Sequence, residues 1–152
     1  MASRNAVQRA IDAYGRARFE EKRSGSWVRQ SGVIEQTLNL QKSQYSVRYY
    51  LNVEFAFGAG DERGRIMGRA EDLLEDADAE RLEALLDIDD NPMEDEHREH
   101  ELALVLERLT PLFADLSSVE AVASHDRRGT FRSMGVTGPA RAAIDRVSSP
   151  LG

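Results

Sequence analysis

The sequence predicts an α+β domain: an antiparallel β meander of about four strands, an N-terminal helix, and a mostly helical C-terminal half packed on one face. Three observations predict it. Residues 47–57, VRYYLNVEFAF, alternate strictly, with Val47, Tyr49, Leu51, Val53, Phe55 and Phe57 on one side and Arg48, Tyr50, Asn52 and Glu54 on the other. That two-residue period belongs to a half-buried strand. Turn-forming pairs stand upstream at Ser24-Gly25 and Ser31-Gly32, where a meander needs them. After Gly60 the leucines recur three and four residues apart instead, which is helical spacing.

Taken in order, Val7, Ala10, Ile11 and Tyr14 mark a first helix, with Ser3 as its N-cap and Gly15 as its stop. A strand over 17–22 leads into Ser24-Gly25, and a second covers 27–30. A third, over 33–41, carries Ile34, Leu38 and Leu40 on one face and Glu35, Thr37, Asn39 and Gln41 on the other. Residues 42–46 turn the chain into the long strand 47–57. Burying its six apolar side chains is worth on the order of 10 kcal/mol, comparable to the net stability of a whole domain. The strand is therefore expected to be central and covered by helices.

Leu82, Leu85 and Leu86 predict a short helix, and Leu102 to Phe113 a longer one broken near Pro111. Ser117 and Glu120 match a capping box for a third. Pro139 suits the first turn of a last helix through Ala142, Ile144 and Val147. With no internal repeat and no linker, 1–152 reads as one domain, with 1–57 the helix plus meander and 58–152 mostly helical.

Composition narrows the function classes. The 152 residues are 41% hydrophobic and 31% charged, ordinary values for a globular chain able to bury a core. There is no cysteine, which excludes disulfides, thiolate metal sites and a thiol nucleophile. The first residues hold no continuous apolar run, so no signal peptide is expected. No membrane span is expected either, and the expected location is cytoplasmic. Only two of the twenty basic residues are lysines, Lys22 and Lys42, a bias of GC-rich coding.

The net charge of −7 is unevenly spread. Residues 1–57 carry +4 and residues 58–152 carry −11, with fifteen acids against Arg81 and Arg98 over 71–101. A duplex-binding protein carries the reverse balance, so nucleic acid is not an expected partner. The acidic belt reads either as a solvated helical surface or as a surface steering a basic protein partner.

Four further features invite a chemical reading. If the third and fourth strands pair, Thr37, Asn39, Gln41, Arg48, Tyr50, Asn52 and Glu54 share one sheet face. Asparagine is depleted in strands, so this face is read as a ligand or partner surface, with a plain solvated face as the alternative. The run GAGDERGR follows a strand but has Arg63 where a dinucleotide fingerprint needs its third glycine, and it reads as a connection. His97 and His100 lie three apart, with Glu96 or Glu101 within reach on a helix. They are a candidate metal pair, although zinc-protease spacing is absent, and a charged first helical turn explains the same residues. Ser124, His125 and Asp126 adjoin in sequence, but neighbours rarely point at one another as a triad requires. His125 reads as a cation at a helix end, favoured there by the helix dipole.

Phe19, Gly25, Trp27 and Arg29, then Asn39, Leu40, Gln41 and Ser43, then Tyr50 and Asn52 form a pattern that resembles the bacterial domain-of-unknown-function family numbered 4304. The likeness covers 5–57, and Val53 and Glu54 stand where that family often has glycine. The resemblance implies an α+β domain in bacteria and no particular activity, since none is assigned to the family. It puts Asn39, Gln41 and Asn52 in the shared motif.

The expected function is a binding or interaction module, in its specific form an acidic inhibitor- or immunity-type protein, with no cofactor. The alternative is a hydrolase or metal-dependent enzyme using histidine and carboxylate groups. A homodimer is a third reading. No residue is assigned as catalytic.

Overall fold

A computed structural model describes residues 4–148. The first helix, α1 (Ala6–Arg18), starts on Asn5; Ser3 lies outside the described residues. The Asn5 side chain accepts the Gln8 N–H at 3.0 Å, and Gln8 Oε1 accepts the Asn5 N–H at 2.9 Å. This reciprocal pair satisfies two of the donors a helix start leaves open. Gly15 does not stop the helix, which runs on to Arg18. It lies under the indole of Trp27, where a Cβ would come within 2.4 Å of the ring. Glycine is there for close packing, not for a turn.

Next come β1 (Glu21–Arg23), β2 (Ser26–Ser31), β3 (Ile34–Lys42) and β4 (Tyr49–Phe57), the expected meander with shifted ends. At the first hairpin both Ser24 and Gly25 have positive φ, 48° and 81°, the turn whose twist matches that of its strands. The sheet then continues beyond expectation. β5 (Gly64–Arg69) and β6 (Gly135–Val136) extend it to six antiparallel strands in the order β1-β2-β3-β4-β5-β6, so the meander of about four was an undercount. GRIMGR contains one fully buried apolar residue, Ile66, and so shows no alternation of its own. It is a strand because β4 offers a free edge, along which Asn52 to Phe57 pair with Arg69 to Gly64. As expected for its apolar content, β4 is interior to the sheet.

The helices of the second half are α2 (Asp76–Leu86), α3 (Asp95–Glu107), α4 (Thr110–Asp115), α5 (Val119–Arg127) and α6 (Gly138–Ser148). The expected break falls between α3 and α4, with Pro111 in the first turn of α4. The cap of α5 is Ser118, whose Oγ accepts the Ala121 N–H at 3.1 Å, not Ser117. Ser117 instead gives its carbonyl to the Val33 N–H, tying α5 to the β2–β3 turn.

These helices and α1 cover the apolar face of the sheet. One core unites Leu51, Phe55 and Ile66 from the strands with Ile11, Leu102, Leu106, Phe113 and Ile144 from the helices. Phe113 sits edge-on to Phe19 at 5.6 Å and tilted against Phe55 at 5.8 Å, geometries favoured by the ring quadrupoles. Of the buried polar side chains, two close helix ends. Gln36 Nε2 donates to the Phe113 and Leu116 carbonyls at 2.8 and 3.0 Å, satisfying the C-terminal end of α4. Arg98, 1% exposed, donates to the Leu85 carbonyl at 2.6 Å and to that of Asn91, so a cation closes the C-terminal end of α2. Among the described residues no helix is long and apolar enough to cross a membrane.

Candidate functional site

Pairing of β3 with β4 sets Thr37 opposite Glu54, Asn39 opposite Asn52, and Gln41 opposite Tyr50. The sequence-predicted polar residues thus share one face, turned away from the helices. Most are half-buried, because the neighbouring strands shelter them.

The asparagines make a ladder across the sheet. Asn52 Nδ2 donates to Asn39 Oδ1 at 3.2 Å and to Gln41 Oε1 at 3.1 Å. Asn39 Nδ2 donates onward to Ser26 Oγ at 3.1 Å. At the other end Arg69 Nη1 donates to Asn52 Oδ1 at 2.8 Å. Hydrogen bonds therefore run from β5 through β4 and β3 to β2 with every donor pointing the same way, an arrangement in which each bond polarises the next. The amides are largely engaged with one another. What the ladder presents outward is Arg69.

Tyr50 supplies the second support. The Arg69 guanidinium lies 4.2 Å from its ring centroid, and the Arg48 guanidinium lies 5.4 Å from it, cation–π contacts in both cases. Arg48 also reaches α2, pairing with Glu83 at 3.0 Å and with Asp87 at 4.0 Å. Glu54, by contrast, forms no ion pair among the described residues. Between Glu54 and Arg69 the sheet dips into an open concavity of about 390 Å³ lined by Thr37, Asn39, Asn52, Glu54, Met67 and Arg69. Met67, 39% exposed, is the large apolar side chain of that lining.

Arg69 and Met67 were missed in the sequence because β5 was read into the helical half. The usable signal was a short Gly-flanked segment immediately after a long strand, the layout of a hairpin return.

Glu71 follows in a 3-10 turn, Ala70–Leu73. Its Oε1 is buried with no hydrogen-bond partner among the described residues. Burial first, then the nearby carboxylates of Glu83 and Asp72, push its carboxyl up to about 7, against a smaller opposing pull from Arg69.

The histidine pair stands elsewhere. His97 and His100 are exposed on α3, which packs against α1 on the helical side, so they do not meet the polar sheet face. Glu101 is bound to Arg81 at 2.9 Å, and this hydrogen bond foremost holds its carboxyl below the usual range. Among the described residues no group of three histidines and carboxylates is placed to hold a metal ion. His125 is buried at the end of α5, its Nδ1 3.2 Å from Thr130 Oγ1 and its Nε2 3.6 Å from Asp115. Burial first, then Arg128, lowers its pKa, which favours a neutral ring over the helix-end cation. Asp126 pairs with Arg141 at 2.8 Å, turned to another task than a triad.

The acidic belt occupies α2, the loop after it and the first turn of α3. Glu75, Asp76, Glu80, Asp89, Asp90, Glu94 and Glu96 are exposed and have no cationic partner among the described residues. The two arginines of the belt are engaged, Arg98 as the buried cap and Arg81 with Glu101. Compared with family models, with curated proteins and with solved structures, the chain finds no match in any of the three.

Proposed function

We propose that this chain is a binding module of the inhibitor or immunity type, which docks a basic protein through the acidic surface of α2, the 87–94 loop and the start of α3. The observation that carries the reading is the set of unpaired, exposed carboxylates on that surface, whose local arginines are already spent. An uncompensated field of one sign raises the rate of encounter with a partner of the opposite sign and fixes its approach. No activity is drawn from the resemblance to the family numbered 4304, which we keep as a proposal of kinship over 5–57.

The test is capture from a lysate of the source cell at low and at high salt, by the natural chain and by a variant carrying Glu75→Gln, Asp76→Asn, Glu80→Gln and Glu96→Gln. These positions are exposed, so the variant should fold. A basic protein held by the natural chain, shed by salt and not held by the variant supports the reading, since the screening length between exposed charges shrinks from about 10 Å at roughly 0.1 M salt to about 3 Å at roughly 1 M. Equal capture by both chains, or no basic protein at either salt, rejects it.

A further inference from the structure

Arg69 is held as a recognition group is held, yet it forms no salt bridge among the described residues, its field reaching only the buried Glu71 carboxyl and the Tyr50 ring. Its guanidinium is stacked on Tyr50 and bonded to Asn52, which is fixed by Asn39 and Gln41. Its backbone N–H is bonded to Asp72 Oδ2 at 2.9 Å. The rotamer freedom of a free arginine, about 2 kcal/mol, is thus largely given up before any ligand arrives. Nε and Nη2 make no hydrogen bond among the described residues, and they are two donors that match a planar oxyanion. On the same face, diagonally across the β4–β5 pair, stands the unpaired carboxylate of Glu54. Diagonal neighbours are about 7–8 Å apart at their backbones, and Arg69 leans further away, toward Tyr50.

We propose that Arg69 and Glu54 are the two poles of a binding site for a zwitterionic ligand of di- or tripeptide size. Its carboxylate lies on Arg69, its ammonium on Glu54, and its body over Asn52 and Met67, which stand between the two poles. Three arguments choose this occupant. The pole separation suits two or three residues of extended chain at about 3.3 Å each, and the concavity of about 390 Å³ falls in the range of small-ligand sites. Glu54 and the net charge of −7 oppose a phosphate, which brings two charges and no cation. A second copy of this concave face would meet the first only at the rims. The depression between α1 and β2 is no rival, because its Asp12 is already paired with Arg4 and Lys22. The site is separate from the acidic helical surface, so either reading can fail without the other.

The test follows the Asn39 and Asn52 side-chain amides and the Met67 methyl by NMR while the tripeptide Ala-Leu-Ala is added to the full chain. Its C-terminal amide and its N-acetyl form serve as paired probes on the unaltered protein. Saturable shifts are expected with the free tripeptide, and about tenfold or weaker binding for each blocked form, the effect of losing one charged hydrogen bond. Glu54→Gln should abolish the preference for the free amino terminus while leaving that for the free carboxylate. No saturation by about 20 mM, weaker than any useful affinity on the millimolar scale, overturns the proposal. So does equal binding of all three peptides.

Discussion

The carboxyl of Glu71 offers the most direct check on the electrostatics of the β5–α2 junction. Its Oε1 is buried and unpartnered, and burial together with Glu83 and Asp72 raises the group from its ordinary 4.5 to about 7. Below pH 4.5 both folded and unfolded chains hold the proton, so the group is neutral toward stability. Between 4.5 and about 7 the folded chain keeps a proton that the unfolded chain releases, so stability falls as pH rises. Above about 7 the penalty is complete. At about 1.4 kcal/mol for each pH unit the full effect is about 3 kcal/mol. Part of the side chain reaches solvent, which screens the field, and about 1–2 kcal/mol is the better expectation. Glu71→Gln keeps the shape and removes the charge, and its new N–H donors face Glu83 and Asp72. Urea unfolding at pH 5 and pH 8.5 should show the variant close to the natural chain at the lower pH and more stable by about 1–2 kcal/mol at the higher. The same offset at both pH values, or a variant destabilised at pH 8.5, would refute the reasoning.

Other substitutions test the packing. Gly15→Ala gains helix propensity of about 1 kcal/mol but drives a methyl into the Trp27 ring. A net loss of about 1–2 kcal/mol is expected, with a shift in the fluorescence of this sole tryptophan. Arg98→Met leaves the Leu85 carbonyl at the end of α2 and the Asn91 carbonyl of the following loop without their donor, and calorimetry should record a loss of about 2–4 kcal/mol. Asn52→Leu removes the hub of the ladder. Unfolding by urea should show a loss of about 1–2 kcal/mol, and NMR should show the Arg69 side chain released from its fixed position. The double change His97→Ala, His100→Ala touches two exposed side chains and should move the thermal midpoint by no more than about 0.5 kcal/mol allows.

The sheet ladder shows where sequence reading stopped. Alternation placed Asn39, Gln41, Tyr50, Asn52 and Glu54 on one face, and β3–β4 pairing brought them together as expected. It did not reveal that the amides bond one another, nor that they converge on Arg69, because both depend on which residue lies opposite which across three strand pairs. The candidate metal pair failed to converge with anything for a related reason. His97 and His100 are neighbours along a helix, but Glu101, within their reach, is held by Arg81 from α2, and no carboxylate completes the set among the described residues.

By itself the sequence determined the elements that carry their own period. The strand at β4, the leucine faces of α2 and α3, the turn at Ser24-Gly25 and the break before Pro111 are encoded within a few residues each, since strand and helix repeat over two and 3.6 residues. Tertiary structure alone decided the rest. Gly64–Arg69 and Gly135–Val136 became strands because a paired edge satisfies their backbone groups. Gly15 serves the approach of Trp27 across the helix–sheet interface. Arg69 acquired its fixed position from Tyr50, Asn52 and Asp72, residues that only folding makes its neighbours.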